Sequence, residues 1–242
     1  MPALLLIAHG SRDPRHAATV AALVEEVRAQ RPGVEVATAY LDHCAPRIPQ
    51  VVERLADAVA VPLLLNRAFH AKHDIPAALR AAGSRLPVAD VLGPSPLLLA
   101  ALDRRLAEAD PDLSSPAVRA RTGVVLAAAG SSDPAADAAT RAVAAEWRRT
   151  RGWAAVEVAY ASAAGPRVPD ALAALRAAGA ERTAVSPYLL APGLLPDRIA
   201  TAAAGADVLA DVLGPAPELA ALLLRRYDGA RRAAPVTTAL TA

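Results

Sequence analysis

The chain has 242 residues, 54% of them hydrophobic and only 3% aromatic, with a formal net charge of +2. That length holds one large domain or two of about 100–150 residues, with a core made mostly of Ala, Val and Leu. Scattered arginines exclude a nucleic-acid groove, the single Cys44 excludes a disulfide framework, and no signal peptide or membrane span is legible, so a cytoplasmic protein with neither nucleic-acid nor membrane partner is expected.

The first apolar run, Ala3 to Ala8, reads as a strand covered on both faces. Pro14 to Gln30 follows with helical spacing, then Val34 to Leu41 as a strand, Pro46 to Val59 as a helix and Ala60 to Leu65 as a strand. Ile75 to Ala82 (helix), Val88 to Leu92 (strand) and Pro96 to Ala107 (helix) complete the unit. The β-α rhythm predicts an α/β fold with a parallel sheet and right-handed crossovers. Asp110 to Pro116 breaks the pattern with turn and cap residues. The expected organisation is an N-terminal domain over 1–109, a linker over 110–121, a second domain over 122–227 and a flexible tail over 228–242.

The second domain repeats the first. Gly123 to Ala128 answers the opening strand, Val156 to Tyr160 answers Val36 to Tyr40, and Pro166-Arg-Val-Pro169 answers Pro46-Arg-Ile-Pro49. Asp211-Val-Leu-Gly-Pro215 answers Asp90-Val-Leu-Gly-Pro94. Matches this ordered point to tandem duplication.

One phrase recurs with a telling change: IAHGSRDP at 7–14 becomes AAAGSSDP at 127–134. Asp13 and Asp133 suit helix N-caps, Pro14 and Pro134 suit the first helical position, and Gly10 and Gly130 permit a tight turn. Structure alone explains that frame, although its N–H groups at the sheet's carboxyl edge also suit an anion. His9 is different, because the frame tolerates Ala129 in its place. All five histidines, His9, His16, His43, His70 and His73, lie in the first half, and the stretch around His70 is answered by LLPDRIA.

Open parallel sheets bind ligands at the carboxyl ends of their strands, where His9, Asp42, His43 and His70 all fall. Two neutral imidazoles suit Co²⁺, Fe²⁺, Ni²⁺ or Zn²⁺, and two ligands are too few for a closed structural site. His16 and His73 read as ordinary solvated residues. Cys44 is either a partner of His43 or a small buried hydrophobe. Asp42 is either a helix-entry cap or a proton acceptor. Arg12, Arg47, Arg67 and Lys72 share the same rim and either bind carboxylates or form a solvated surface. No phosphate-binding loop, dinucleotide fingerprint or nucleophile elbow is present, so nucleotide chemistry is not indicated.

The opening strand with His9-Gly10-Ser11-Arg12-Asp13-Pro14, the later His70-Ala71-Lys72-His73-Asp74-Ile75-Pro76, and the tandem repeat together resemble the CbiX/SirB-type sirohydrochlorin chelatases, class II tetrapyrrole chelatases that work without ATP. The resemblance spans about residues 1–227 and matches the long, two-domain form. It implies two chelatase-like domains, each a small parallel sheet flanked by helices, with the active cleft between them. It also implies a monomer that inserts a divalent metal, Co²⁺ or Fe²⁺ (Ni²⁺ in some relatives), into sirohydrochlorin or a similar macrocycle on the way to siroheme or cobalamin. The metal-binding histidines carry over onto His9 and His70. Proton acceptance then falls to an imidazole and to Asp42, and the substrate carboxylates to Ser11, Arg12 and Lys72. The family often places Glu where this chain has Leu41-Asp42-His43, which leaves the acid unassigned, and His43 and His73 are extra imidazoles that either join the metal site or shift its metal preference. A carrier of metal or tetrapyrrole built on the same cleft is the alternative, and a purely structural duplicated protein is the third reading.

Overall fold

Two parallel sheets built from corresponding segments carry the molecule. The computed structural model describes residues 1–55, 57–66, 70–163 and 165–233, without the side chains of His70 and Lys72. The order is β1 (Ala3–Ala8), α1 (Pro14–Gln30), β2 (Val36–Tyr40), α2 (Ile48–Val52), β3 (Ala58–Pro62), a π-helical turn (His70–Asp74), α3 (Ile75–Ala81) and α4 (Pro96–Ala109). A 3₁₀ turn (Pro111–Ser114) and α5 (Pro116–Arg119) lead to β4 (Thr122–Ala128), α6 (Pro134–Arg151), β5 (Ala155–Tyr160), α7 (Val168–Ala177), β6 (Arg182–Pro187), α8 (Leu194–Ala202), β7 (Val208–Leu209) and α9 (Pro217–Ala233). The sheets run β2-β1-β3 and β5-β4-β6-β7, with every pairing parallel.

Three elements differ from the sequence reading. The helix expected over Pro46 to Val59 is confined to Ile48–Val52, and the chain re-enters the sheet at Ala58. The Ala- and Val-rich run there is equally suited to a buried strand, and hydrophobicity alone does not separate the two. The strand expected at Val88 to Leu92 contributes only an isolated bridge between Ala60 and Val88. Pro87 stands where the second repeat has Val208, and proline has no N–H to give a ladder. The tail expected from 228 is helical to Ala233, because Arg31 of α1 donates to both carboxylate oxygens of Asp228, at 2.8 and 2.9 Å. Residues 234–242 of that tail lie outside the described residues.

Each central strand divides its side chains between two layers, as period 2 requires. Leu5 and Ile7 face α2 and α3, whereas Leu4, Leu6 and Ala8 join a cluster that also holds Val124, Leu126 and Ala128 of β4. That shared cluster is filled by α1, α4, α6 and α9. The last helix of each half crosses over. α9 packs on α1 and β3 of the first sheet, and α4 packs on β6 and β7 of the second. Arg105 of α4 donates to the Leu213 carbonyl at 3.0 and 3.1 Å, and Arg226 of α9 donates to the Leu92 carbonyl at 2.9 Å. Leu92 and Leu213 are equivalent residues of the repeat, as are Arg105 and Arg226. The halves therefore meet through a self-complementary, two-fold-like interface of the kind that joins identical subunits.

A buried carboxylate anchors one side of this exchange. Asp103 of α4 accepts from the indole N–H groups of Trp147 at 2.8 Å and Trp153 at 3.3 Å, and its other oxygen faces Arg119 and Arg151. Burial pushes its carboxyl up, against the opposing hydrogen bonds and guanidinium charges. Asp103→Leu strands two indole donors and two cations, and is expected to cost about 3 kcal/mol. Asp103→Asn keeps an oxygen for the indoles and is expected to cost less than half of that in the same urea titration.

Candidate metal site

The turn after β1 is built from local chemistry. Asp13 caps α1 by accepting from the Arg15 N–H at 2.9 Å, and Pro14 fills the first helical position. The Asp13 N–H donates to the Ser11 hydroxyl at 3.1 Å. The second repeat copies this, with Ala135 donating to Asp133 at 2.9 Å and the Asp133 N–H donating to Ser131 at 3.0 Å. The shared Gly-Ser-x-Asp-Pro frame is thus a cap-and-turn device, and the Ser11 hydroxyl already serves it.

The glycine has a second reason to be present. Gly10 sits at φ +93, and a β-carbon there would lie 1.7 Å from the Asp42 carbonyl oxygen. Gly130 has φ +90 and would meet the Ser162 carbonyl oxygen at 2.1 Å. The turn after β1 therefore lies against the turn after β2. The Asp42 N–H donates to the His9 carbonyl at 2.8 Å, and the Ser162 N–H donates to the Ala129 carbonyl at 2.9 Å. In the first half Cys44 adds a further tie, its thiol donating to the Ser11 carbonyl at 3.1 Å. Cys44 packs against the core cluster from a partly buried position, as a small hydrophobe whose sulfur also accepts from the Ser11 N–H at 3.5 Å.

This docking brings His9 and His43 together, with ring centroids 6.5 Å apart. His9 is half-buried, and its Nδ1–H donates to the Gly10 carbonyl at 3.1 Å. That bond sets the tautomer with the lone pair on Nε2, as in imidazoles that bind metals. His43 occupies the left-handed region at φ 60, closed by the Cys44 N–H donating to the Asp42 carbonyl at 2.7 Å. Its Nε2 lies 3.4 Å from an Asp42 carboxylate oxygen.

Asp42 is exposed and does not cap α2; Arg47 occupies that position. Its carboxylate accepts from the His43 N–H at 2.8 Å and from Arg47 at 3.1 Å. Those two bonds hold it below the usual carboxylate range, which makes it a weak base. His16, expected to be solvated, is half-buried beside Tyr40 at 6.4 Å. Burial, and then the neighbouring His9, push its pKa below the ordinary 6.5, so it is neutral at neutral pH. It lines a cavity of about 20 Å³ with Ala8 and Leu63 of the first half and Leu190 of the second, which places the strand ends at the seam between the halves.

Arg12 is exposed, with no hydrogen bond or ion pair among the described residues, and Ser132 replaces it in the second repeat. The backbone of His70, Lys72 and His73 forms the π-helical turn that feeds α3, an element frequent at functional sites. The side chains of His70 and Lys72, and Arg67 altogether, lie outside the described residues. Among the described residues, no three His, Cys, Asp or Glu side chains gather as a metal cluster, and no helix is long and apolar enough to cross a membrane. Sequence reasoning paired His9 with His70 and placed His43 on the same rim; the fold adds the close approach of the His43 ring to that of His9. The signal was present in the repeat, because His9 and His43 are answered by Ala129 and Ala163 at one common offset.

Other proteins resemble this chain in sequence and in fold. A sirohydrochlorin ferrochelatase of Priestia megaterium is 30% identical over 209 residues, covering 82% of this chain and 77% of its own. A sirohydrochlorin cobaltochelatase of the same organism is 27% identical, covering 82% and 67%. Among solved structures, SirB from Bacillus subtilis with Fe³⁺ superposes with a TM-score of 0.78 at 24% identity over 94% of each chain. The profile of the CbiX family matches residues 3–109 and again 123–230; the chain, a tandem pair of such units, belongs to the CbiX family.

Proposed function

We propose that this chain inserts a divalent metal into sirohydrochlorin without nucleotide hydrolysis, as a single-chain chelatase. The observation that carries the reading is His9. It is an imidazole with a backbone-set tautomer at the carboxyl end of β1, in a frame whose twin holds Ala129. The named activities of the ferrochelatase and cobaltochelatase relatives make Fe²⁺ and Co²⁺ the metals to test, and imidazole donors suit Ni²⁺ equally. The two-fold-like contact between the halves supports a monomer, since it supplies within one chain what two copies would otherwise provide.

Insertion replaces two pyrrole N–H bonds with metal–nitrogen bonds, so two protons leave and no electron moves. The metal is a substrate here, held by His9 and His70 and passed to the ring. A site with few protein ligands releases its ion, whereas a four-ligand cage holds it. An imidazole that has given up the metal regains a lone pair and accepts one of the protons near neutral pH. Asp42 is the carboxylate at hand for the second, although its bonds to His43 and Arg47 make holding those two groups its stronger role. Arg12 and Lys72 meet the substrate's carboxylates, with Ser11 shaping the turn beside them.

Anaerobic visible spectroscopy of sirohydrochlorin with Co²⁺ or Fe²⁺ tests the proposal. Wild-type protein is expected to metalate the ring faster than the protein-free mixture, and His70→Ala is expected to lose that gain. Wild-type rates equal to the spontaneous ones would leave a carrier in place of an enzyme.

A further inference from the structure

The turn after β2 carries an imidazole that the metal-insertion reading does not use. We infer that His43 is a metal ligand of this chain, acting beside His9 on the incoming ion, so that the adjoining turns after β1 and β2 form the ion's first docking point. The inference rests on the metal-insertion reading above.

Three observations carry it. First, the two rings are held together by backbone rather than by chance. The Asp42 N–H is bonded to the His9 carbonyl, Gly10 lies against the Asp42 carbonyl, and Cys44 is tied to Ser11. Metal–nitrogen bonds of about 2.0–2.1 Å put the centroids of two imidazoles sharing one ion about 5–6.5 Å apart. The observed 6.5 Å lies at the open end of that range. Second, the His9 ring is oriented through Nδ1 on the Gly10 carbonyl, and the His43 ring stands with Nε2 3.4 Å from an Asp42 carboxylate oxygen. Such partners orient ligating imidazoles and raise their basicity. The Gly10 bond assigns Nε2 of His9 as the metal-facing donor. Third, the second half keeps the close approach and the left-handed turn and omits both rings. Gly130 and Ser162 repeat the close approach, Ala163 repeats the left-handed turn at φ 59, and the rings are replaced by Ala129 and Ala163. A non-glycine residue in that conformation is uncommon and costs about 1–2 kcal/mol. The fold accepts that cost in both halves, so the turn does not require an imidazole.

The repeat also supplies the test variant. His43→Ala places in the first turn the residue that the second turn already tolerates at the same φ. Full-length, metal-free protein is titrated with Co²⁺ in the absence of tetrapyrrole, following the visible d–d bands, with wild type, His43→Ala and His9→Ala side by side. Both variants are expected to bind Co²⁺ at least ten-fold more weakly than wild type, with altered band positions because a nitrogen donor is lost. Wild-type affinity and bands in His43→Ala, with binding lost in His9→Ala, would overturn the inference and leave the chelatase reading standing. Wild-type behaviour in both variants would overturn the inference together with the assignment of His9.

Discussion

His9→Ala is expected to lower the rate of metal insertion by about 100-fold or more while leaving the melting temperature within about 2 °C of wild type. Loss of the imidazole removes a metal ligand and, with it, a proton acceptor, and a positioned acid–base group alone contributes about 10²–10⁴-fold. Stability is spared because the side chain builds nothing in the turn. The Nδ1–H bond to Gly10 is a local, half-buried contact, and the second half folds the same turn around Ala129 with its cap, its Ser131 bond and its tie to Ser162 intact. Differential scanning fluorimetry beside the insertion assay checks both halves of the statement. A fall in activity matched by a comparable loss of folded protein would show that His9 acts through the fold rather than through the metal.

Gly10→Ala, by contrast, is expected to remove both activity and stability. A β-carbon 1.7 Å from the Asp42 carbonyl oxygen cannot be relieved by a rotamer change, because the obstacle is backbone, and φ +93 is itself disfavoured for alanine. Parting the turns after β1 and β2 breaks the Asp42-to-His9 bond and separates the two imidazoles. A loss of about 4 kcal/mol or more, at the upper end of single substitutions, is expected. Gly130→Ala is the matched control. Its β-carbon meets the Ser162 carbonyl oxygen at 2.1 Å, so urea denaturation is expected to show a similar loss of stability. Protein that remains folded should, however, bind Co²⁺ as wild type does, since no imidazole stands at that turn. Equal loss of Co²⁺ binding in the two folded variants would place the metal elsewhere than beside His9.

Much of this molecule was legible in its residues. Period and punctuation marked β1, α1 and α3 almost to the residue. The Gly-Ser-x-Asp-Pro phrase announced its cap and turn, and the substitution of Ala129 for His9 set the two halves apart. These features are local, or repeat at a fixed offset, so one sequence contains them whole. What local patterns could not carry was decided in three dimensions. Pro87 removes a ladder donor and leaves the first sheet one strand short of the second. A buried Asp103 looks like any helix-surface carboxylate until two indoles and two guanidinium groups close around it. The exchange of α4 and α9 between halves could not be read either, because an apolar stripe on a helix states that it must be covered and not by which sheet. For the same reason the pairing of His9 with His43 waited for the fold. Residues on two different turns become neighbours only when β1 and β2 pair in register and Gly10 admits the carbonyl of Asp42.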